Sequence, residues 1–130
     1  MKQKVHSVSY LAKAEFECEN GVYDLVALPA GAEVVKVSLE VAGNFMDGYI
    51  YIGFKDESTK KYFLTFEQSY TTGEVKYIEK TITSDKDYTA TSNKVVAAEV
   101  HATKQDYVKC ILRVVYFLPK NKFLKSWIGS

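Results

Sequence analysis

Residues 28–41, LPAGAEVVKVSLEV, leave the chain little choice of conformation. A Pro–Gly turn feeds a run in which Val35, Val37, Leu39 and Val41 fall on one side and Lys36, Ser38 and Glu40 on the other. Successive side chains of a strand point to opposite faces, so this two-residue period predicts a strand with one dry and one wet face. The same alternation recurs along most of the sequence, and no cluster of catalytic residues accompanies it. What the chain does has to be argued from the architecture, from absences and from an unusual tail.

Reading outward from that strand, residues 8–18 alternate well enough for a strand, although 11–15 (LAKAE) would also suit a helix. The Asn20–Gly21 pair is a hairpin signal, which makes 22–28 the expected partner strand. Residues 43–48 (GNFMDG) read as a loop bounded by two glycines, followed by a short strand, 49–54, apolar on both faces. Such a strand sits in the middle of a sheet or under a partner. Further strands are expected at 61–66, 74–82 (of ambiguous phase), 94–103 and 107–117. The rhythm is that of a sandwich. The prediction is all-β: an antiparallel β-sandwich, jelly-roll-like, of about eight or nine strands, occupying residues 1–118. No stretch shows a capped 3.6-residue period.

Size and composition narrow the function. A chain of 130 residues is one domain with room for a core. The formal net charge of +1 argues against a general nucleic-acid binder, which needs a concentrated basic face. The N-terminal region has lysines but no secretory apolar run, and no segment approaches the length of a membrane span, so manufacture in the cytoplasm is expected. Ten Tyr and seven Phe suit strands and also surfaces that meet a partner. Cys18 and Cys110 fall in register with apolar neighbours and read as buried small hydrophobes. A bridge between them requires the first and last long strands to pair, a distance that sequence does not give.

No catalytic residue stands out. His6 and His101 lack a nucleophile in any recognisable arrangement, and neither cysteine sits in a nucleophile motif. Zinc-ligand spacing is absent, and the loop acids Asp47, Asp56, Glu57, Asp85 and Asp87 lack the order of a calcium loop. The reading is a non-enzyme with no metal and no cofactor. A small hydrolase using unrecognised carboxylates is the weakest of the alternatives. Tyr49, Tyr51, Tyr62 and Tyr70 could stack on sugars if exposed, although alternating aromatics are what strands use in their cores.

The last twelve residues, PKNKFLKSWIGS, differ from the rest. Pro119 cannot donate to a ladder and ends the final strand. Beyond it, Phe123, Leu124, Trp127 and Ile128 recur at a spacing that lines one side of a short helix, with Lys120, Lys122 and Lys125 among them and no acid. Large apolar side chains in water favour a covered state, and Trp is enriched among interface anchors. Residues 119–130 are therefore read as an arm, with Phe123, Leu124, Lys125, Trp127 and Ile128 as partner-binding residues. Whether the arm covers its own sandwich or a neighbouring subunit is open at this level.

The order of these features resembles small β-sandwich head proteins of tailed bacteriophages and prophages, which decorate or cement the capsid. The resemblance rests on LPAG, the alternating VVKVSLEV, the aromatic DGYIYIGF, a threonine-containing middle strand and the final KCILRVVYFLP. It covers about three-quarters of the chain; the first strand and the arm depart from the pattern. It implies a structural protein on the capsid surface of a virion, without cofactor, binding the major capsid protein and copies of itself; such proteins commonly act as trimers. The runner-up is a carbohydrate- or receptor-binding module of a phage tail or fibre.

Overall fold

The alternating segments are all extended. The computed structural model, which describes residues 7–69 and 76–119, arranges them as seven antiparallel strands. These are β1 (Ser7–Glu17), β2 (Gly21–Leu28), β3 (Glu33–Gly53), β4 (Leu64–Ser69), β5 (Lys76–Ser84), the short β6 (Tyr88–Thr89) and β7 (Lys94–Pro119). Strand, not helix, wins at residues 11–15, because β1 is paired along its whole length with β7, from Ser7↔Pro119 to Glu17↔Lys109.

β3 and β7 are far longer than an ordinary strand. They pair with each other from Glu33↔Phe117 to Gly53↔Ala97 and bend together in the middle. Their two halves carry different neighbours. Residues 33–45 of β3 and 105–119 of β7 are flanked by β1 and by β5, with β6 at the end. Residues 47–53 of β3 and 94–102 of β7 are flanked by β2 and by β4. Counting both halves of the bent strands, nine segments form two antiparallel sheets of a sandwich, as the spacing of alternating runs predicts.

The core lies between the sheets. Val34, Val37, Leu39 and Val41 of β3, Ile50 and Ile52 beyond the bend, and Val96, Ala98, Val100, Cys110, Leu112 and Val114 of β7 are completely buried. Fully burying an aliphatic side chain of this size contributes about 1.5–3 kcal/mol. Phe45 meets Phe66 edge to face, ring centroids 5.7 Å apart. At one end, Phe54, Tyr62, Phe63 and Tyr88 close the sandwich with tilted and edge-on contacts.

Four expectations change. Val35 does not share the inner face with Val37: a β-bulge between Val34 and Lys36 puts Val34 inside and leaves Val35 exposed, since one extra residue reverses the alternation. The 43–48 segment is not a loop but the bend of β3. There Gly43 (φ +144°) and Gly48 (φ +151°) let two backbones come together. A Cβ on Gly43 would strike the Tyr107 carbonyl and lie 2.6 Å from the Val108 Cα; on Gly48 it would strike the His101 carbonyl and lie 2.7 Å from the Ala102 Cα. The strand expected at 61–66 starts only at Leu64.

Finally, Asn20–Gly21 does not form a hairpin. β1 and β2 lie in different sheets and each pairs with β7. The Asn20 side chain instead accepts the Ala102 N–H at 2.6 Å, tying the crossover to the bend of β7.

Candidate partner-binding surface

A sandwich has two outer faces, and each carries a distinct set of side chains. On the outer face of the second sheet, Tyr49 and Tyr51 project from the same side of β3, two residues apart. Their rings stack at 4.4 Å, and Tyr49 also stacks on His101, its partner on β7, at 4.7 Å. Lys61 Nζ lies 4.5 Å from the Tyr51 ring centroid. Lys60 Nζ reaches Glu57 Oε1 at 2.9 Å and Glu99 Oε2 at 3.5 Å, and Glu99 Oε2 lies 3.3 Å from His101 Nε2. The hydrogen bond and charge of Lys60 hold the Glu57 carboxyl below its ordinary range. Desolvation, Tyr51 and Glu99 push the Tyr49 phenol up.

This cluster is a fastening more than a platform. It pins the turn at 55–61 to the sheet, and Tyr51 is left only 9% exposed. Tyr62 is likewise engaged: its hydroxyl donates to the Asp87 carbonyl at 2.9 Å, and Lys86 Nζ sits 4.0 Å from its ring. Stacking on a sugar needs a free ring face, and the rings of Tyr51 and Tyr62 are occupied by the protein itself. Tyr70 lies outside the described residues.

The outer face of the first sheet is different. Leu11 on β1 faces Val115 on β7, which in turn faces Lys36 on β3. The next row sets Ser9, Phe117 and Glu33 side by side. The Val35 bulge adds a fourth apolar group. Leu11 is 62% exposed and Val35 38%, while Val115 and Phe117 are half-buried. Toward the other end of the sheet the face turns polar, with Arg113 Nη1 bound to Glu40 Oε1 at 3.2 Å. At the rim of this sheet Tyr10 and Tyr116 stack at 5.2 Å.

A third exposed group lies at the bend. Tyr107 is 91% exposed in a left-handed conformation (φ 51°), and Tyr77 is 60% exposed beside it across β3. A non-glycine residue held there stores about 1–3 kcal/mol of backbone strain. Sequence reading missed both tyrosines. The nearest signal in the sequence is Gly43, which lies against the Tyr107 carbonyl and pairs with Ile78, the neighbour of Tyr77.

Among the described residues, no group of three or more His, Cys, Asp or Glu could hold a metal. Cys18 and Cys110 are free and buried, with their sulfurs in hydrogen-bonding contact. That bond, and then burial, push the Cys110 thiol far up. The predicted partner-binding residues Phe123, Leu124, Lys125, Trp127 and Ile128 all lie outside the described residues.

No family model and no curated protein matches the chain. Solved structures do. A chain in the acidic stable capsid structure of Helicobacter pylori bacteriophage KHP30 is 58% identical, with 92% of this chain covering 94% of that one at a TM-score of 0.77. A chain of the cyanophage Pam1 capsid asymmetric unit shares 17% identity and the fold, with 92% and 91% coverage and a TM-score of 0.63.

Proposed function

The chain belongs to a family of bacteriophage capsid proteins that includes the KHP30 chain, and from that premise we propose that it decorates and cements a phage capsid. It is a protein of the virion. In this reading it binds the major capsid protein and copies of itself, and its role is structural, with no reaction to perform. The observation that carries the proposal is the exposed apolar patch formed by Leu11, Val35, Val115 and Phe117 on the outer face of the first sheet. An apolar face rimmed by charges marks a contact surface. Repeated over a lattice, contacts of modest strength add up to firm retention.

The arm, residues 119–130, supplies the second contact, with Phe123, Leu124, Trp127 and Ile128 as anchors and Lys125 at the rim. The test is co-sedimentation with shells that lack this protein, comparing the full chain with a variant ending at Pro119. The full chain pellets with the shells and the shortened chain is largely left in solution, while both give the same circular dichroism. A full chain that stays in the supernatant refutes cementing. Equal pelleting of both chains refutes the arm. Size-exclusion chromatography with light scattering of the same pair shows whether copies associate, and as trimers, before they meet a shell.

A further inference from the structure

We propose that Cys18 and Cys110 are a pair of thiols that a small peroxide closes to a disulfide outside a reducing compartment, stapling β1 to β7. The inference rests on the place of the protein in the virion and not on cementing, so the two readings fail separately. The chain has two cysteines in 130 residues, and the fold brings those two together from opposite ends of the sequence. The condition for a bridge is that the first and last long strands pair, and it is met: β1 and β7 are in register from Ser7↔Pro119 to Glu17↔Lys109. The Cys18 N–H carries the ladder one step further, donating to the Val108 carbonyl at 3.0 Å. Cys18 therefore stands opposite Val108, and Cys110 lies two positions along β7 on the same inward face. The two cysteines are 1% and 0% exposed, and their sulfurs are in hydrogen-bonding contact.

Diagonal neighbours on adjacent strands sit about 7–8 Å apart at Cα, slightly beyond the usual disulfide span of about 4.4–6.8 Å. The remaining approach falls to Cys18, the first residue past the end of β1, in the turn that leads to β2. β1 is an edge strand held by β7 alone, and the end of such a strand moves more readily than the middle of a sheet. Disulfides persist in oxidising surroundings and stay open in a reducing cytoplasm, and a virion passes from one to the other. The chemistry balances with a peroxide as oxidant. Cys18 accepts the hydrogen bond of the Cys110 thiol, which holds its own thiol below the ordinary range and makes it the first to react. Its sulfur attacks one peroxide oxygen, the O–O bond breaks, and a sulfenic acid and one water result. The Cys110 sulfur then displaces the hydroxyl from Cys18 as a second water, taking its own proton away, and the S–S bond forms. The thiols lose two hydrogens and two electrons, and the peroxide is reduced to water. Hydrogen peroxide is close to water in size and reaches sulfurs that a larger reagent does not.

The experiment uses the full-length wild-type chain, purified in reductant, freed of it and treated with limiting hydrogen peroxide. The expected product has no free thiol when counted in denaturant and yields one linked peptide pair, joining 18 to 110 within a single chain. Its melting temperature is expected to rise by about 10 °C, as a bridge closing so long a loop should give, and to fall back when reductant is restored. Cys18→Ala and Cys110→Ala chains are expected to show no rise under the same treatment. Two thiols still free after the peroxide is consumed overturn the proposal. So does oxidation that adds oxygen to the cysteine sulfurs, or links separate chains, in place of the bridge from 18 to 110. A bridge that forms and leaves the melting temperature unchanged overturns the staple. Shell sedimentation of the reduced chain reads cementing by itself, since the reduced chain carries no bridge.

Discussion

Replacing Gly48 by alanine tests whether β3 and β7 are truly continuous through their bend, and Gly21 supplies a matched control. The two glycines have almost the same backbone, φ +151° and +150°. Their surroundings differ. A Cβ on Gly21 meets nothing nearer than the Tyr23 hydroxyl at 3.7 Å, whereas on Gly48 it strikes the His101 carbonyl and lies 2.7 Å from the Ala102 Cα. Both alanines carry the conformational strain of a positive φ, about 1–3 kcal/mol, less about 0.4–1 kcal/mol from a stiffer unfolded chain. Only Gly48→Ala also has to push two backbones apart, which by analogy with overpacking costs about 1–3 kcal/mol more. In urea, with a slope of about 1–3 kcal/mol per molar, the midpoints of the two variants should differ by about 1 M. Equal midpoints would show that the strands do not approach closely at the bend, and the account of the two long strands would be wrong.

Other perturbations probe separate parts of the molecule. Phe66→Ala removes a ring that is 1% exposed and packed on Phe45; calorimetry should show a loss of about 3–5 kcal/mol. Cys18 and Cys110 should resist a thiol reagent in the native protein and react fully in denaturant, because both are buried and the reagent cannot reach their sulfurs; fast native labelling would contradict their placement. Tyr49 should ionise above the ordinary tyrosine range in a spectroscopic titration. Its folded form holds the proton more tightly, so its contribution to stability is intact below the unfolded phenol pKa, about 10, and fades as pH rises through the folded value. Breaking the half-exposed Arg113–Glu40 pair with Glu40→Gln should change stability by no more than about 1 kcal/mol.

The site was less legible than the fold. Residues 120–130 stand out in the sequence because Trp127 and its apolar neighbours are unusual company for three lysines, and they lie outside the described residues. The apolar patch on the first sheet was not legible, since Leu11, Val35, Val115 and Phe117 come from three segments and only strand pairing brings them together. Tyr49 and Tyr51 were recognised as a pair, but the lysines that occupy Tyr51 approach from a turn whose path the sequence does not specify.

What the sequence determined by itself is local: the period of two, the inward phase of Val37, Leu39 and Val41, and hence an all-β sandwich. Side-chain alternation needs no knowledge of the partner strand. What only the tertiary structure decided is every relation that depends on one. The bulge that turns Val35 outward exists because β3 must stay in step with β7. Gly43 and Gly48 looked like loop ends because glycine serves equally where a chain turns and where two backbones touch. Asn20–Gly21 looked like a hairpin until β7 proved to be the partner of both flanking strands. A residue records the conformation it permits, and the neighbour that makes use of it is chosen by the fold.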